Sequence, residues 1–212
     1  DTLESRGLGD VYKRQRLDGH SKIICPVPGY DRHFKLLENF GIEMITVPFQ
    51  KDGPDLNAIE DLINSESNIH GIVCVPRHSN PTGHTFSDDN VEQLFKLIEP
   101  LKENFSIFWD NAYACHDIED TIQQTPADQI AKKIGLENNL FQVGSTSKIT
   151  LAGSGISFIS SSADNLSKFI DFRNAITPGP NKMNQGMHVK YFELVSIEQQ
   201  MSCLLYTSPS PR

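Results

Sequence analysis

The chain has 212 residues, with 27 acidic side chains against 19 Lys and Arg and a formal net charge of -8. That length suits one domain or a domain and a half, and the acidic balance gives no electrostatic case for binding nucleic acid. No signal peptide and no membrane span is legible, so a cytoplasmic protein without a membrane partner is expected.

The two ends are read separately. Residues 5–15 and 203–212 can be encoded by one DNA element in opposite orientations, and that element resembles a transposon-based sequencing adapter. On this reading residues 1–15 and 202–212 are translated adapter scar, excluded from fold reasoning, and 16–201 is an internal fragment of a longer chain. Three cysteines remain in it, Cys25, Cys74 and Cys115. They are odd in number and without metal spacing, which predicts reduced core thiols and no metal site.

Ile23-Ile24-Cys25-Pro26-Val27 predicts a short apolar strand. Phe34, Leu36, Leu37 and Phe40 predict a helix from Tyr30, stopped at Gly41. Residues 43–49 predict a strand and 51–54 a turn. Asp55 caps a helix with Leu56, Ile59 and Leu62 on one face. A buried strand follows over 71–76, a helix over 90–98 capped by Ser87, and a strand over 105–109. Residues 127–134 predict a helix ended by Gly135, and 140–144 and 155–159 predict strands. Ser162 opens a helix to about residue 172, and 182–192 predicts a further one. Strands alternating with helices argue a mostly parallel sheet covered on both faces, a three-layer α/β/α arrangement. The strands at 140–144 and 155–159 break the alternation, because only a glycine-rich link joins them.

Three of these strand ends carry chemistry. Asn80-Pro81-Thr82-Gly83 follows one, Asp110-Asn111-Ala112-Tyr113 the next, and Ser145-Thr146-Ser147-Lys148 the third. Ligands of open parallel sheets bind outside the carboxyl ends of the strands. A desolvated lysine there can form a Schiff base with an aldehyde and afterwards move a proton. An aspartate can hold the proton on a pyridine nitrogen, and Tyr113 and Asn80 can donate to a phenolic oxygen. Ser145 and Ser147 can bond a phosphate. Asn, Asp with Tyr, and Lys, in that order, form the set that a pyridoxal phosphate site needs.

The chain resembles the fold type I pyridoxal phosphate enzymes, and within them the subgroup Ic aspartate aminotransferases, which are related to MocR-like regulators. The resemblance is carried by residues 24–34, 79–83, 109–114, 145–158 and 179–185 and covers most of 16–201. It implies an incomplete large domain whose sheet is mostly parallel with one antiparallel strand, 155–159. It implies pyridoxal 5'-phosphate as cofactor, Lys148, Asp110 and Tyr113 as catalytic residues, and Asn80, Ser145 and Ser147 as further cofactor contacts. It also implies transamination of an amino acid with a 2-oxo acid, aspartate with 2-oxoglutarate first, by a homodimer. The alternatives are the aminotransferase-like effector domain of a MocR-type regulator, or another reaction such as β-elimination or decarboxylation on the same cofactor.

Two positions depart from the wider family. Val27 stands where an aromatic commonly stacks on the cofactor ring, which leaves Tyr30 as the nearby aromatic. Ile156 stands where most members place a phosphate-clamping arginine, and Lys182 is a candidate replacement cation as well as a candidate solvated helix-start residue. The carboxylate-binding arginine of the family lies outside the segment. The histidines, among them His33, His78, His84, His116 and His188, are read as carrying no ligand role.

Overall fold

The computed structural model describes residues 21–117 and 123–207. The proposed N-terminal scar and residues 208–212 lie outside the described residues. The strands are β1 (Lys22–Val27), β2 (Glu43–Gln50), β3 (Gly53–Pro54), β4 (Ile69–Cys74), β5 (Ser106–Asp110), β6 (Leu140–Ser145) and β7 (Ser157–Ser160). The α-helices are α1 (Asp31–Asn39), α2 (Leu56–Ser65), α3 (Asp88–Ile98), α4 (Ala127–Ile134), α5 (Ala163–Ile176), α6 (Lys182–Leu194) and α7 (Ile197–Thr207). The last was not anticipated, and it runs across residue 202, the boundary expected for the C-terminal scar.

One sheet contains all seven strands in the order β3-β2-β1-β4-β5-β6-β7. β2, β1, β4, β5 and β6 are mutually parallel. β7 runs antiparallel to β6, as expected. The predicted turn at 51–54 instead contributes a two-residue strand antiparallel to the end of β2, with Phe49 opposite Pro54. Its geometry leaves no room for a side chain at Gly53, whose φ is 152° and whose added Cβ would fall 2.1 Å from Asn90 Oδ1.

The helices form where local signals agree with tertiary burial. Asp55 caps α2 by accepting from Asn57 N and Ala58 N, and Ser87 caps α3 by accepting from Asn90 N. Val91, Leu94, Phe95 and Ile98 recur at helical spacing and are buried, so α3 presents one apolar stripe to the sheet. Gly135, left-handed at φ 86°, ends α4.

Successive strand residues face opposite layers. Ile24, Ile72, Ile107 and Trp109 pack with Ile59 of α2, Leu94 and Phe95 of α3 and Ile130 of α4. Ile23, Cys25, Val73, Phe108 and Phe141 pack with Leu37 of α1 and Phe169 of α5. Leu94, Phe95 and Ile107 are fully buried. Each such side chain contributes about 1.5–3 kcal/mol of transfer free energy.

The crossover rule explains which helix takes which face. The chain steps one way along the sheet from β1 to β2, then returns past β1 to β4, β5 and β6. Right-handed crossovers in opposite directions put their helices on opposite faces. Accordingly α1 lies on one face, and α2, α3 and α4 lie on the other. The direction reverses between β1 and β4, and at such a switch point the loops diverge and leave a crevice at the carboxyl ends.

Candidate active site

The predicted residues fall at the carboxyl ends of β1 and of the strands from β4 to β6. Tyr30 follows β1, Asn80 follows β4, Asp110 ends β5 with Tyr113 just after it, and Ser145 ends β6 with Ser147 and Lys148 beyond. Cys25, Gly29, Tyr30, His33, Phe49 and Ser79 line a cleft on the β1–β4 side.

Asp110 is held on both oxygens. Oδ1 accepts the Ala112 backbone N–H at 2.9 Å, and Oδ2 lies 3.0 Å from His33 Nε2 on α1. A carboxylate offers about four lone-pair sites, so two contacts leave capacity for a ligand N–H. His33 is a neighbour of the candidate site that sequence reasoning missed. It is the buried polar residue of α1, and its ring meets Tyr30 edge to face at 5.2 Å. The legible signal was a histidine at a position that the helix turns toward the sheet, four residues before the buried Leu37. Tyr30 therefore supports His33 beside the carboxylate.

Lys148 Nζ stands 5.1 Å from the centroid of the Tyr113 ring. The Tyr113 ring also meets His116 edge to face at 5.4 Å, and His116 Nε2 lies 3.3 Å from the Lys148 carbonyl oxygen. Burial pushes the His116 imidazole below its ordinary pKa, and the neighbouring His78 and Lys148 charges push the same way, against the Lys148 carbonyl contact. His78, expected to be a plain turn residue, has a φ of 47° and places Nε2 2.8 Å from Asp117 Oδ1. Arg77 pairs with the same carboxylate through two nitrogens. Asp117 thus ties the loop that carries Asn80 to the loop that carries Tyr113. Asn80 is half-buried next to Ser79 of the cleft wall. His84 stacks flat on Phe49, with centroids 5.2 Å apart.

At the end of β6, Ser145 Oγ donates to Ser147 Oγ at 2.8 Å and accepts the Ser147 N–H at 3.0 Å. Two hydroxyls and a turn N–H are thereby gathered at one point. Gly155 lies against them, and a Cβ there would come within 2.2 Å of Ser147 Oγ. Ile156, in the place of the family's arginine, contributes backbone only. It donates N–H to Thr146 Oγ1 at 3.0 Å and its carbonyl accepts the Thr146 N–H at 2.9 Å. Lys182 is exposed as the first residue of α6. Cys25, at the foot of the cleft, has its thiol pushed up to about 12 by burial, so it is inert as a nucleophile.

A mostly parallel sheet with a lysine, an aspartate and a hydroxyl pair at adjacent strand ends is an arrangement of the fold type I aminotransferase class. The comparisons agree: the family model for aspartate amino-transferase matches residues 6–202, and the chain belongs to that family. An aspartate aminotransferase from Corynebacterium glutamicum is 43% identical over 172 residues, 81% of this chain and 39% of that protein. The crystal structure of an aspartate transaminase from the same species superposes with a TM-score of 0.86 at 35% identity, covering 98% of this chain and 52% of that one. An HTH-type transcriptional regulator from Bacillus subtilis is 34% identical over 82 residues, 39% of this chain and 18% of that protein. The chain thus spans about two fifths of the curated aspartate aminotransferase and about half of the solved one.

Proposed function

We propose that this chain is the larger part of the cofactor-binding domain of a longer, cytoplasmic, homodimeric aminotransferase that uses pyridoxal 5'-phosphate. Its substrates are an amino acid and a 2-oxo acid, with aspartate and 2-oxoglutarate as the first pair. The observation that carries the reading is the placement of Lys148 Nζ over the Tyr113 ring, one strand away from an Asp110 carboxylate held on both oxygens. The 43% identical aspartate aminotransferase supports the substrate pair.

The residues fit the cofactor in kind. The Ser145 and Ser147 hydroxyls suit a phosphate, with the space beside them kept open by Gly155. The Lys148 amine suits an aldehyde, and the doubly held Asp110 suits a pyridinium N–H. When bound, pyridoxal phosphate supplies an electron sink for the pair left behind when an α-proton is removed. Lys148 holds the cofactor and then carries the α-proton as general base and acid. The Asp110 carboxylate would accept from the ring-nitrogen N–H, and His33 and the Ala112 N–H hold its orientation. Tyr113 and Asn80 donate to the phenolic oxygen. The scar reading of 1–15 and 202–212 belongs to the same proposal, and so do the absence of nucleic-acid and membrane partners and the subgroup Ic assignment. Among the described residues no helix is long and apolar enough to cross a membrane.

Borohydride reduction of the full-length protein with cofactor, followed by peptide mapping, tests the assignment. The label is expected on Lys148, and a label on Lys182 or elsewhere overturns it. A second reading, an effector domain of a MocR-type regulator, is favoured by the 82-residue similarity to the Bacillus subtilis regulator. The complete reading frame separates the two: a winged-helix domain upstream of residue 16 supports the regulator.

A further inference from the structure

Helix α6 has one buried side chain, and it is a histidine. His188 is 6% exposed, whereas Met183, Met187 and Val189 on the same helix are exposed. A helix ordinarily docks through an apolar stripe. This one docks through Asn184 and His188, which four-residue spacing places on one face. Asn184 Nδ2 donates to the carbonyl oxygens of Ser154 and Gly155. His188 reaches the other end of the same loop, where its Nε2 lies 2.8 Å from Thr150 Oγ1 and 3.0 Å from Thr146 Oγ1.

The contacts place the Nδ1 proton. His188 Nδ1 lies 2.9 Å from the Asn184 carbonyl oxygen. A carbonyl has no proton to give, so Nδ1 carries a proton and donates, and Nε2 faces two hydroxyls that can each donate or accept. Thr146 Oγ1 already accepts the Ile156 N–H, so its own proton is available to Nε2. The Thr146 carbonyl takes the N–H groups of Ile149 at 2.9 Å and Thr150 at 2.8 Å, and its N–H goes to Ile156 O. Thr146 is therefore the point at which the end of β6, the Lys148 turn and the approach to β7 are joined. It sits between Ser145 and Ser147.

We propose that His188 is a positioning residue for cofactor phosphate: through Thr146 and Thr150 it holds the Ser145–Ser147 hydroxyl pair in register to receive the phosphate group. The inference rests on the pyridoxal phosphate reading of the site. Its physical basis is the isoleucine at 156. An arginine binds phosphate through a forked cation and tolerates small displacements by reorienting. Hydroxyls on a tight turn have no such reach, so their placement must come from a supporting contact. His188 and Asn184 supply it from the far side of the loop.

The test compares binding of pyridoxal phosphate with binding of pyridoxal, which lacks the phosphate, in full-length parent, His188→Ala, His188→Gln and Thr150→Val proteins, read by absorbance and fluorescence titration. Loss of a supporting hydrogen bond of this kind costs about tenfold or more in ligand affinity, so His188→Ala is expected to weaken pyridoxal phosphate by that much while pyridoxal stays within about twofold. Glutamine retains an acceptor and should recover part of the loss. Thr150→Val removes one hydroxyl partner without changing shape, so it should show the same selective loss; if the alanine variant does not fold, this variant decides. Equal weakening of both ligands, or of neither, overturns the inference and leaves the cofactor reading standing. A parent protein that binds neither ligand overturns the cofactor reading and the inference with it.

Discussion

His33 Nε2 stands 3.0 Å from Asp110 Oδ2, a contact between the inner face of the first helix and the end of the interior strand β5. Both side chains are mostly buried, at 11% and 17% exposure, so the hydrogen bond is little screened by water. It fixes the direction of the carboxylate whose charge the proposed chemistry needs.

Asp110→Asn keeps the shape and removes the charge. In the full-length protein the rate of α-deuterium loss from aspartate in a single turnover is expected to fall by several orders of magnitude with cofactor still bound. His33→Leu removes only the orientation, and the expected fall is about tenfold. A His33→Leu effect as large as that of Asp110→Asn would mean that His33 has a direct role. An Asp110→Asn rate within a few-fold of the parent would reduce Asp110 to a strand-end cap.

Gly155→Ala tests the approach of the loop to Ser147. The added Cβ would meet Ser147 Oγ at 2.2 Å and the Ser147 Cα and N at 2.8 Å. The side-chain oxygen can rotate away, but the backbone atoms cannot. The expected cost in folding free energy is about 1–3 kcal/mol, typical of overpacking, measured by urea denaturation. Cofactor affinity should fall as well, because Ser147 is displaced. An unchanged denaturation midpoint with unchanged affinity would show that the loop is loose.

His116 gives stability a pH dependence of known sign. Its folded pKa lies below the ordinary imidazole value of 6.5, chiefly through burial. Above pH 6.5 the ring is neutral in both states and contributes no slope. As pH falls through 6.5 the unfolded chain takes up the proton first, so the folded state loses stability. His116→Gln should flatten the fall in stability as pH drops below about 6.5 relative to the parent. A parallel fall in both proteins would assign the slope to other groups.

Strand β7 has no neighbour beyond it among the described residues, and Phe158 on it is 58% exposed. Its ring lies over Gly144, where a Cβ would approach Phe158 Cε2 to 2.5 Å. An apolar strand at a sheet edge is a template for pairing with another chain. The chain by itself is expected to self-associate, and Phe158→Lys should shift it toward monomer in light scattering. A monodisperse parent with full transaminase turnover would refute both this and the fragment proposal.

The sequence by itself determined the order and kind of most elements and the strand ends that carry Asn80, Asp110, Tyr113 and Lys148. Such features are local: apolar runs, caps at Asp55 and Ser87, and a glycine at 135 are written within a few residues of where they act. Cys25 and Cys74 were legible as core for the same reason and are buried, whereas Cys115, expected with them, is only half-buried because it lies in the loop after β5. Glu92 and Lys96 pair at 2.8 Å across one helical turn, as their spacing requires. The run at 155–159 looked as apolar as the other strands, yet β7 is largely exposed, because sheet order decides which strand stands at the edge. Helix α7 carried no strong periodic signal and lay partly in the segment set aside as scar. The roles of three histidines were decided only by the tertiary structure. His33 meets Asp110 because β1, β4 and β5 are neighbours in the sheet, His78 meets Asp117 across two loops, and His188 meets Thr146 and Thr150 from a helix beyond β7. In each pair the partners are far apart in the chain, and a neutral or charged imidazole has no periodicity of its own. Its function is set by the acceptor or donor that folding brings within about 3 Å.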